Sequence, residues 1–485
     1  MELGKTDKSK VLVKVCRKAG YLLSDMDGVM SAAIVYNKLK ELGYKADVLF
    51  HSGKQHGCLD LLDDIIGEYD TLIIPDAGSQ DEYAIKQIRE FGTNVIIFDH
   101  HEYNKWDFPD NVTLINCKDW PKGNNLSGGA VANYSIVGNQ MDLAALSIVS
   151  DVMPLNDVYN RYVVKHGLAK ITNPFLQYLV DKLNKGVRPT PKWIGWTLAP
   201  LVNAVQRSNN QDAKELLFRA FVNEADFDDA LAIMRKCKRE QDNEVKTMLE
   251  SIEPDNSHKF VVAFGDESTA MYTGLVANKL LSKYNKPALL LREQDSTQYC
   301  GSMRSPIPIL DEINASGLAV CQGHQSASGI TIKKSQLPRL LQWADNLDID
   351  MSPVIDVAAE LNFSEINIGL CDSIEEHNDL WGMGIEEPLF YSKFIANQSD
   401  IAIYRKASNT LRINVDGVSF IKFRIDDGMT DLLESGLNIE FELTYHLAIN
   451  EYNGNRYCQG MIQDMEWKFT NKEEPSQYDW DSIFG

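Results

Sequence analysis

Three short stretches place acids and imidazoles where the chain leaves an apolar run: YLLSDMDG carries Asp25 and Asp27, TLIIPDAGSQD carries Asp76, and NVIIFDHHE carries Asp99, His100 and His101. Runs such as LIIP and VIIF are apolar throughout, as strands covered on both faces should be. In an open parallel sheet the carboxyl ends of such strands face one crevice, and ligands bind there. Carboxylates gathered in a crevice repel one another unless cations neutralise them. Carboxylate and imidazole donors without thiolates suit Mn²⁺ or Mg²⁺ better than a thiolate-rich zinc site. Each motif alone is commonplace: SDMDG reads as a turn, and Ser79 or Asp81 as a helix cap. Set at successive strand ends, they predict a metal cluster.

The elements that must position these groups follow from hydrophobic rhythm. From about residue 10 to 117, GYLLSD, ADVLFHSG, TLIIPDAG, NVIIFDHHE and NVTLINC alternate with helical patterns, which predicts βαβ units and a parallel sheet. Helices dominate from LSGGAVANYSIVGN to about Ile252, and EADFDDALAIMRKCKREQDNEVKTMLESI reads as one long, partly exposed helix. A second α/β pattern runs from HKFVVAFGDES to LPRLLQWADNL, after which DMSPV marks a break. Strand-like segments such as SDIAIYRK, TLRINVDGVSFIKFRI and NIEFELTYHLAIN then favour a small β-barrel. The expected division is an α/β parallel-sheet domain over 1–170, a helical connector over 171–256, a second α/β domain over 257–346, a barrel over 353–470 and a flexible acidic tail over 471–485.

At 485 residues, with 44% hydrophobic and 24% charged residues, the chain has the make-up of a folded multidomain protein. Its net charge of -21 excludes a basic-arm binder, so any polyanion must be held by local charge and metal. Eight cysteines stand singly without CxxC spacing, as in a reducing compartment. The start, MELGKTDKSK, lacks the apolar core of a signal peptide, and no apolar run approaches a membrane span. The expected location is cytoplasmic.

In the order SDMDG, PDAGS, FDHHE and ALSIVSDVMPL with Asp151, the sequence resembles the four motifs of the DHH phosphoesterase superfamily. NDVYNRYVVKHGL, LAPLVNAVQRSNN, GSMRS and CQGHQSASGITI are similar to successive segments of the RecJ-type single-strand-specific 5′-to-3′ DNA exonucleases, over nearly the full length. The resemblance implies a DHH domain, a connecting helix, a DHHA1 domain and an OB-fold. It implies two divalent cations, Mn²⁺ preferred and Mg²⁺ possible, with Asp25, Asp27, Asp76, His100 and Asp151 as ligands and Asp76 bridging. His101 would face the substrate or a metal-bound water, and Asp99 would fix an imidazole tautomer. Leu23 stands where RecJ-type first motifs usually carry a further acid.

The same resemblance sets Arg207, Ser302 and Arg304 at a terminal 5′-phosphate, for which a guanidinium fork is suited. Lys54, Gln55 and His56 could serve that pocket where RecJ proteins often have an arginine, and His324 falls on a GGH-like element of the DHHA1 domain. Trp120, Tyr299, Trp381 and Tyr452 are candidate stacking platforms, although core packing is the ordinary role of such rings. MRKCKRE reads as an exposed helix face. The tail DWDSIFG resembles the acidic tails of single-strand-binding proteins, which suggests a repair or replication protein as partner besides single-stranded DNA. Two alternatives stand beside the exonuclease: a phosphodiesterase for short oligoribonucleotides or cyclic dinucleotides, and a catalytically silent replication scaffold.

Overall fold

The computed structural model describes residues 19–21, 25–50, 58–122, 125–136, 138–348, 356–405, 408–433 and 438–470. They fall into two compact units, one ending at Val354 and the other beginning at Ile355.

The first unit opens with four parallel strands in the order β1 (Ala19–Tyr21), β2 (Thr71–Pro75), β3 (Asn94–Asp99) and β4 (Val112–Asn116). Every residue of β2, and all but the first of β3, is buried, because helices cover both faces. Helix α1 (Met26–Glu41) starts at Asp25, whose carboxylate caps it, and buries an unbroken run from Met26 to Val35. Helix α2 (Glu82–Glu90) packs on the sheet through Ala84, Ile85 and Ile88. Helices α3 (Gly128–Ser135), capped by Ser127, and α4 (Met141–Ser150) are almost wholly buried, and α5 (Val158–Ala169), capped by Asp157, follows. The expected strand ADVLFHSG does not form: Tyr44–Phe50 is irregular, and 51–57 lie outside the described residues. Its apolar residues serve instead as side-on packing, with Leu49 against the sheet core and the Phe50 ring against Phe218.

The connector includes α6 (Ala199–Arg207) and the 25-residue α7 (Phe227–Ser251), which carries a buried stripe through Met234, Cys237, Gln241 and Val245. On its outer face, Lys236–Glu240 and Lys238–Asp242 pair one turn apart, so MRKCKRE is a salt-bridged surface. The second sheet is mixed, in the order β5 (Val261–Phe264), β6 (Ala288–Glu293), β7 (Gln298–Arg304), β9 (Ala327–Lys333) and β8 (Val320–His324), with α8 (Thr273–Tyr284) between β5 and β6.

The second unit contains one seven-stranded sheet, β10 (Ala359–Glu360), β11 (Phe390–Ala396), β15 (Ile439–Tyr452), β16 (Asn455–Phe469), β14 (Val418–Phe423), β13 (Asn409–Val415) and β12 (Ile401–Arg405) in spatial order. Alternate residues of β15 are buried from Ile439 to Leu447, so one face carries the core. The expected OB-like barrel is present with its sheet open: β10 and β12 are its edges, and among the described residues no ladder pairs them. OB-folds are partly open barrels, and the register of the long β15–β16 pair shifts once, between Thr444 and Tyr445. No helix among the described residues is long and apolar enough to cross a membrane.

Candidate metal centre

The three strand-end motifs and the end of α4 bring their acids to one place. His100 Nε2 stands 3.2 Å from Asp76 Oδ1, 3.5 Å from Asp151 Oδ2 and 3.8 Å from Asp27 Oδ2. Two overlapping groups of three have donor atoms within 4.8 Å of one another, Asp76–His100–His101 and Asp27–His100–Asp151. Asp76 Oδ1, His100 Nε2 and Asp151 Oδ2 are buried, and none has a hydrogen-bond partner among the described residues. Native interiors seldom leave such atoms unsatisfied, so a ligand that all three can share fits the cluster.

Backbone and neighbours hold these groups in place. Asp76 follows β2 with φ 64°, a left-handed conformation that aims its carboxylate back into the crevice, and its N–H donates to Phe98 O at 2.6 Å. Burial, reinforced by the charges of Asp27 and Asp25, drives its carboxyl well above the ordinary range. Burial likewise pushes Asp151 up to about 7, against the pull of His100 and aided by Asp27 and Asp25. Asp27 Oδ1 accepts from Gly129 N at 2.9 Å and from the hydroxyls of Ser31 and Ser147, and Oδ2 accepts from Gly128 N at 2.8 Å. The amino end of α3 thus cradles that carboxylate and leaves Oδ2 turned to His100. Asp25 belongs to neither group of three; its Oδ1 caps α1, accepting from Gly28 N at 3.1 Å.

Asp99 lies one step back. It accepts from the backbone N–H groups of Ser79, His100 and His101 and contacts His101 Nδ1 at 2.8 Å. Burial alone would raise its pKa, but the His101 contact dominates and holds it far below the usual carboxylate range. The same contact, with Asp76, outweighs burial and pushes the His101 imidazole up to about 9. His101 is 45% exposed, so Asp99 orients the ring at the mouth of the crevice.

Arg207, Ser302 and Arg304 also converge. Arg207 is electrostatically coupled to Asp25, and Arg304 to Arg207; burial depresses both guanidinium pKa values, and for Arg304 the like charge adds to it. Ser302 Oγ lies 2.8 Å from Thr273 Oγ1 at the first turn of α8, a turn with no side-chain cap. A Cβ on Gly274 would meet Arg304 Nη2 at 2.6 Å, so glycine admits the guanidinium. Beside this cluster a cavity of about 400 Å³ is lined by Thr273, Arg292, Gly301, Gln322 and Thr331 among others. Asn203, one turn before Arg207 on α6, accepts from Met26 N at 3.0 Å and ties the arginine helix to the Asp25 turn.

Lys54, Gln55, His56 and Leu23 lie outside the described residues, as does the tail from 471. His324 ends β8 after Gly323, whose φ of 131° favours glycine. Of the proposed platforms, Trp381 packs against the core of the second unit and donates to Ile374 O, Tyr299 meets Phe264, Trp120 meets Tyr134, and Tyr452 is 67% exposed. Sequence reasoning missed the supporting partners Ser127, Gly128, Gly129, Ser147, Thr273 and Gly274. The signal was a small-residue pair at each helix start, SGG and TG, where backbone or an arginine comes too close for a Cβ.

With this geometry in place, the comparisons with known proteins define the class. The DHH family N-terminal domain matches residues 20–154 and the DHHA1 domain residues 257–347, and the chain belongs to the DHH/DHHA1 phosphoesterase superfamily. The RecJ OB domain matches residues 357–464, which makes the chain RecJ-like within that class. It is 25% identical, over 96% of its own length and 89% of the other's, to a prophage-derived Bacillus subtilis protein provisionally named the single-strand DNA-specific exonuclease YorK. It is 26% identical to the single-stranded-DNA-specific exonuclease RecJ of Bacillus subtilis, over 92% and 61% of the two chains. The crystal structure of Thermus thermophilus RecJ in complex with Mn²⁺ shares its fold, with a TM-score of 0.73, 21% identity, and coverage of 95% of this chain and 71% of that one.

Proposed function

We propose that the protein is a metal-dependent phosphodiesterase that removes nucleotides from the 5′ end of single-stranded DNA. The observation that carries this reading is the set of buried, unpartnered donor atoms on Asp76, His100 and Asp151, aimed at one another across 3.2–3.5 Å. Asp27, Asp76, His100 and Asp151, with Asp25 beside them, would hold two divalent ions, Mn²⁺ or Mg²⁺, and Asp76 would be the shared ligand. Such ions supply a hydrolytic nucleophile near neutral pH and neutralise charge on the phosphoryl and departing oxygens.

The chain's own residues do the positioning. Asp99 holds His101 through Nδ1, and so fixes the ring that would face the substrate. Arg207, Arg304 and Ser302 would grip a terminal phosphate, and its two negative charges would relieve the mutual repulsion of the guanidiniums. That grip sets the distance from chain end to scissile bond and so selects a 5′ terminus. The OB domain is of a class that binds single strands, and its presence favours long substrates over dinucleotides. Despite Leu23, the presence of Asp25, Asp27, Asp76, the histidine pair and Asp151 argues against a silent scaffold. A cytoplasmic location and a repair or replication partner for the acidic tail belong to the same reading. Deletion from Glu473 onward should change partner pull-down and leave cleavage of naked oligonucleotide intact.

The deciding experiment compares a 5′-phosphorylated DNA of ~30 nucleotides with a dinucleotide, each with Mn²⁺, in single-turnover cleavage. Preference for the long strand is expected; preference for the dinucleotide overturns the proposal.

A further inference from the structure

The chain carries a net charge of -21, yet between Val158 and Gln211 stand eight lysines and arginines against a single acid, Asp181. Arg207 at the far end belongs to the end-phosphate cluster. Lys165, Lys185, Arg188 and Lys192 are exposed elsewhere on this stretch, and Arg188 Nη2 donates to Lys165 O at 3.1 Å, joining the loop after residue 183 to α5.

A row of rings runs beside Lys165, on α5 and the segments next to it. Trp120 and Tyr134 have centroids 5.1 Å apart, Tyr134 and Tyr159 5.9 Å, and Tyr162 and His166 4.3 Å. Tyr159 and Tyr162 stand three residues apart on α5, the spacing that puts neighbours on one helix face, and so join the two runs of rings into one row. It is not core: Tyr134 is 40% exposed and Tyr162 52%. The row is also continuous with the metal centre. Lys118, two residues before Trp120, pairs with Glu102 next to His101 at 3.0 Å, and Tyr134 stands on the helix whose amino end cradles Asp27.

We infer that this face binds a second stretch of single-stranded nucleic acid, apart from the nucleotides in the metal centre, by stacking bases on the ring row and pairing phosphates with the flanking cations. Aromatic platforms interleaved with cations are what a single strand requires, because every base has a stackable face and the backbone charge is uniform. An acidic peptide would use the cations but not the ladder of rings. The inference rests on the nucleic-acid reading given above and extends it to a surface that reading does not use.

The test is fluorescence anisotropy of the full-length protein with labelled dT20 and dT4 in EDTA, where the unneutralised acids weaken the metal centre and this face dominates. dT20 should bind more tightly than dT4. Tyr162→Ala/His166→Ala, and separately the exposed pair Lys165→Glu/Arg188→Glu, should each lower dT20 affinity about tenfold relative to dT4. The charge pair should also flatten the salt dependence by roughly two counterions, and Tyr162→Phe should bind as the unaltered protein does. Both double variants binding dT20 within twofold of the unaltered protein overturns the inference, as does a poly-glutamate peptide that binds this face more tightly than dT20. If the unaltered protein neither binds dT20 nor degrades it with Mn²⁺, the nucleic-acid reading itself falls and this face with it. Degradation of dT20 with both variants unaffected removes only the second contact.

Discussion

Gly128 and Asp76 touch across the metal centre: a Cβ on Gly128 would lie 2.7 Å from the Cβ of Asp76 and 3.0 Å from its Cα. Asp76 has no room to retreat, since its φ is already 64° and its N–H is engaged by Phe98 O. Gly128→Ala should therefore displace the Asp76 carboxylate, destabilise the protein by roughly 1–3 kcal/mol as overpacking does, and weaken Mn²⁺ binding at least tenfold. Calorimetric titration with Mn²⁺ beside a thermal melt checks both; affinity within twofold of the unaltered protein would remove the glycine's role.

As a metal ligand, Asp76 would trade stability for function. Asn tolerates the left-handed conformation nearly as well as Asp and carries no charge, so Asp76→Asn should raise the melting temperature of the metal-free protein while abolishing cleavage. Binding of single-stranded DNA should stay within a few fold. Turnover by this variant would contradict the shared-ligand role.

The raised carboxyls give a pH dependence whose sign can be worked out. Asp151, up to about 7, keeps in the metal-free fold a proton that the unfolded chain has released by about pH 4. Folding then binds protons, so metal-free stability falls as pH rises from about 4 through 7. A divalent cation requires the deprotonated site and reverses the penalty. The melting-temperature gap between Mn²⁺-loaded and EDTA-treated protein should widen by several degrees from pH 5 to pH 8; a gap that is constant or narrows would refute the assignment.

On the proposed reading, Arg304 and Arg207 would bear on the chain end rather than on the bond broken. Arg304→Ala should cut the preference for 5′-phosphorylated over 5′-hydroxyl DNA by tenfold or more, mainly through KM, because a charge-assisted pair is lost. Equal preference in variant and unaltered protein, measured as kcat/KM for the two ends, would move the phosphate elsewhere.

The positions of the strand-end acids and the α/β fold class were legible in the sequence, because burial period and turn chemistry are local properties written every two to four residues, whereas the expected cap at Asp81 makes no capping hydrogen bond and its carboxylate accepts from Cys58 N instead. Asp76 and the Asp-His-His triplet could be marked as chemical from their place after wholly apolar strands. ADVLFHSG misled because an apolar run packs as well from the side as within a ladder; the OB-like domain was legible, but not how far its sheet closes, because strand count does not fix closure.

Which donors meet was decided only by tertiary structure. Asp25 and Asp27 are two residues apart and equivalent in sequence, yet one caps α1 and the other turns Oδ2 to His100, because Gly128 and Gly129 arrive from 101 and 102 residues away. The row from Trp120 to His166 likewise joins separate segments, and no local pattern records it. Distances between side chains on different elements depend on how those elements pack, and packing is a property of the whole core.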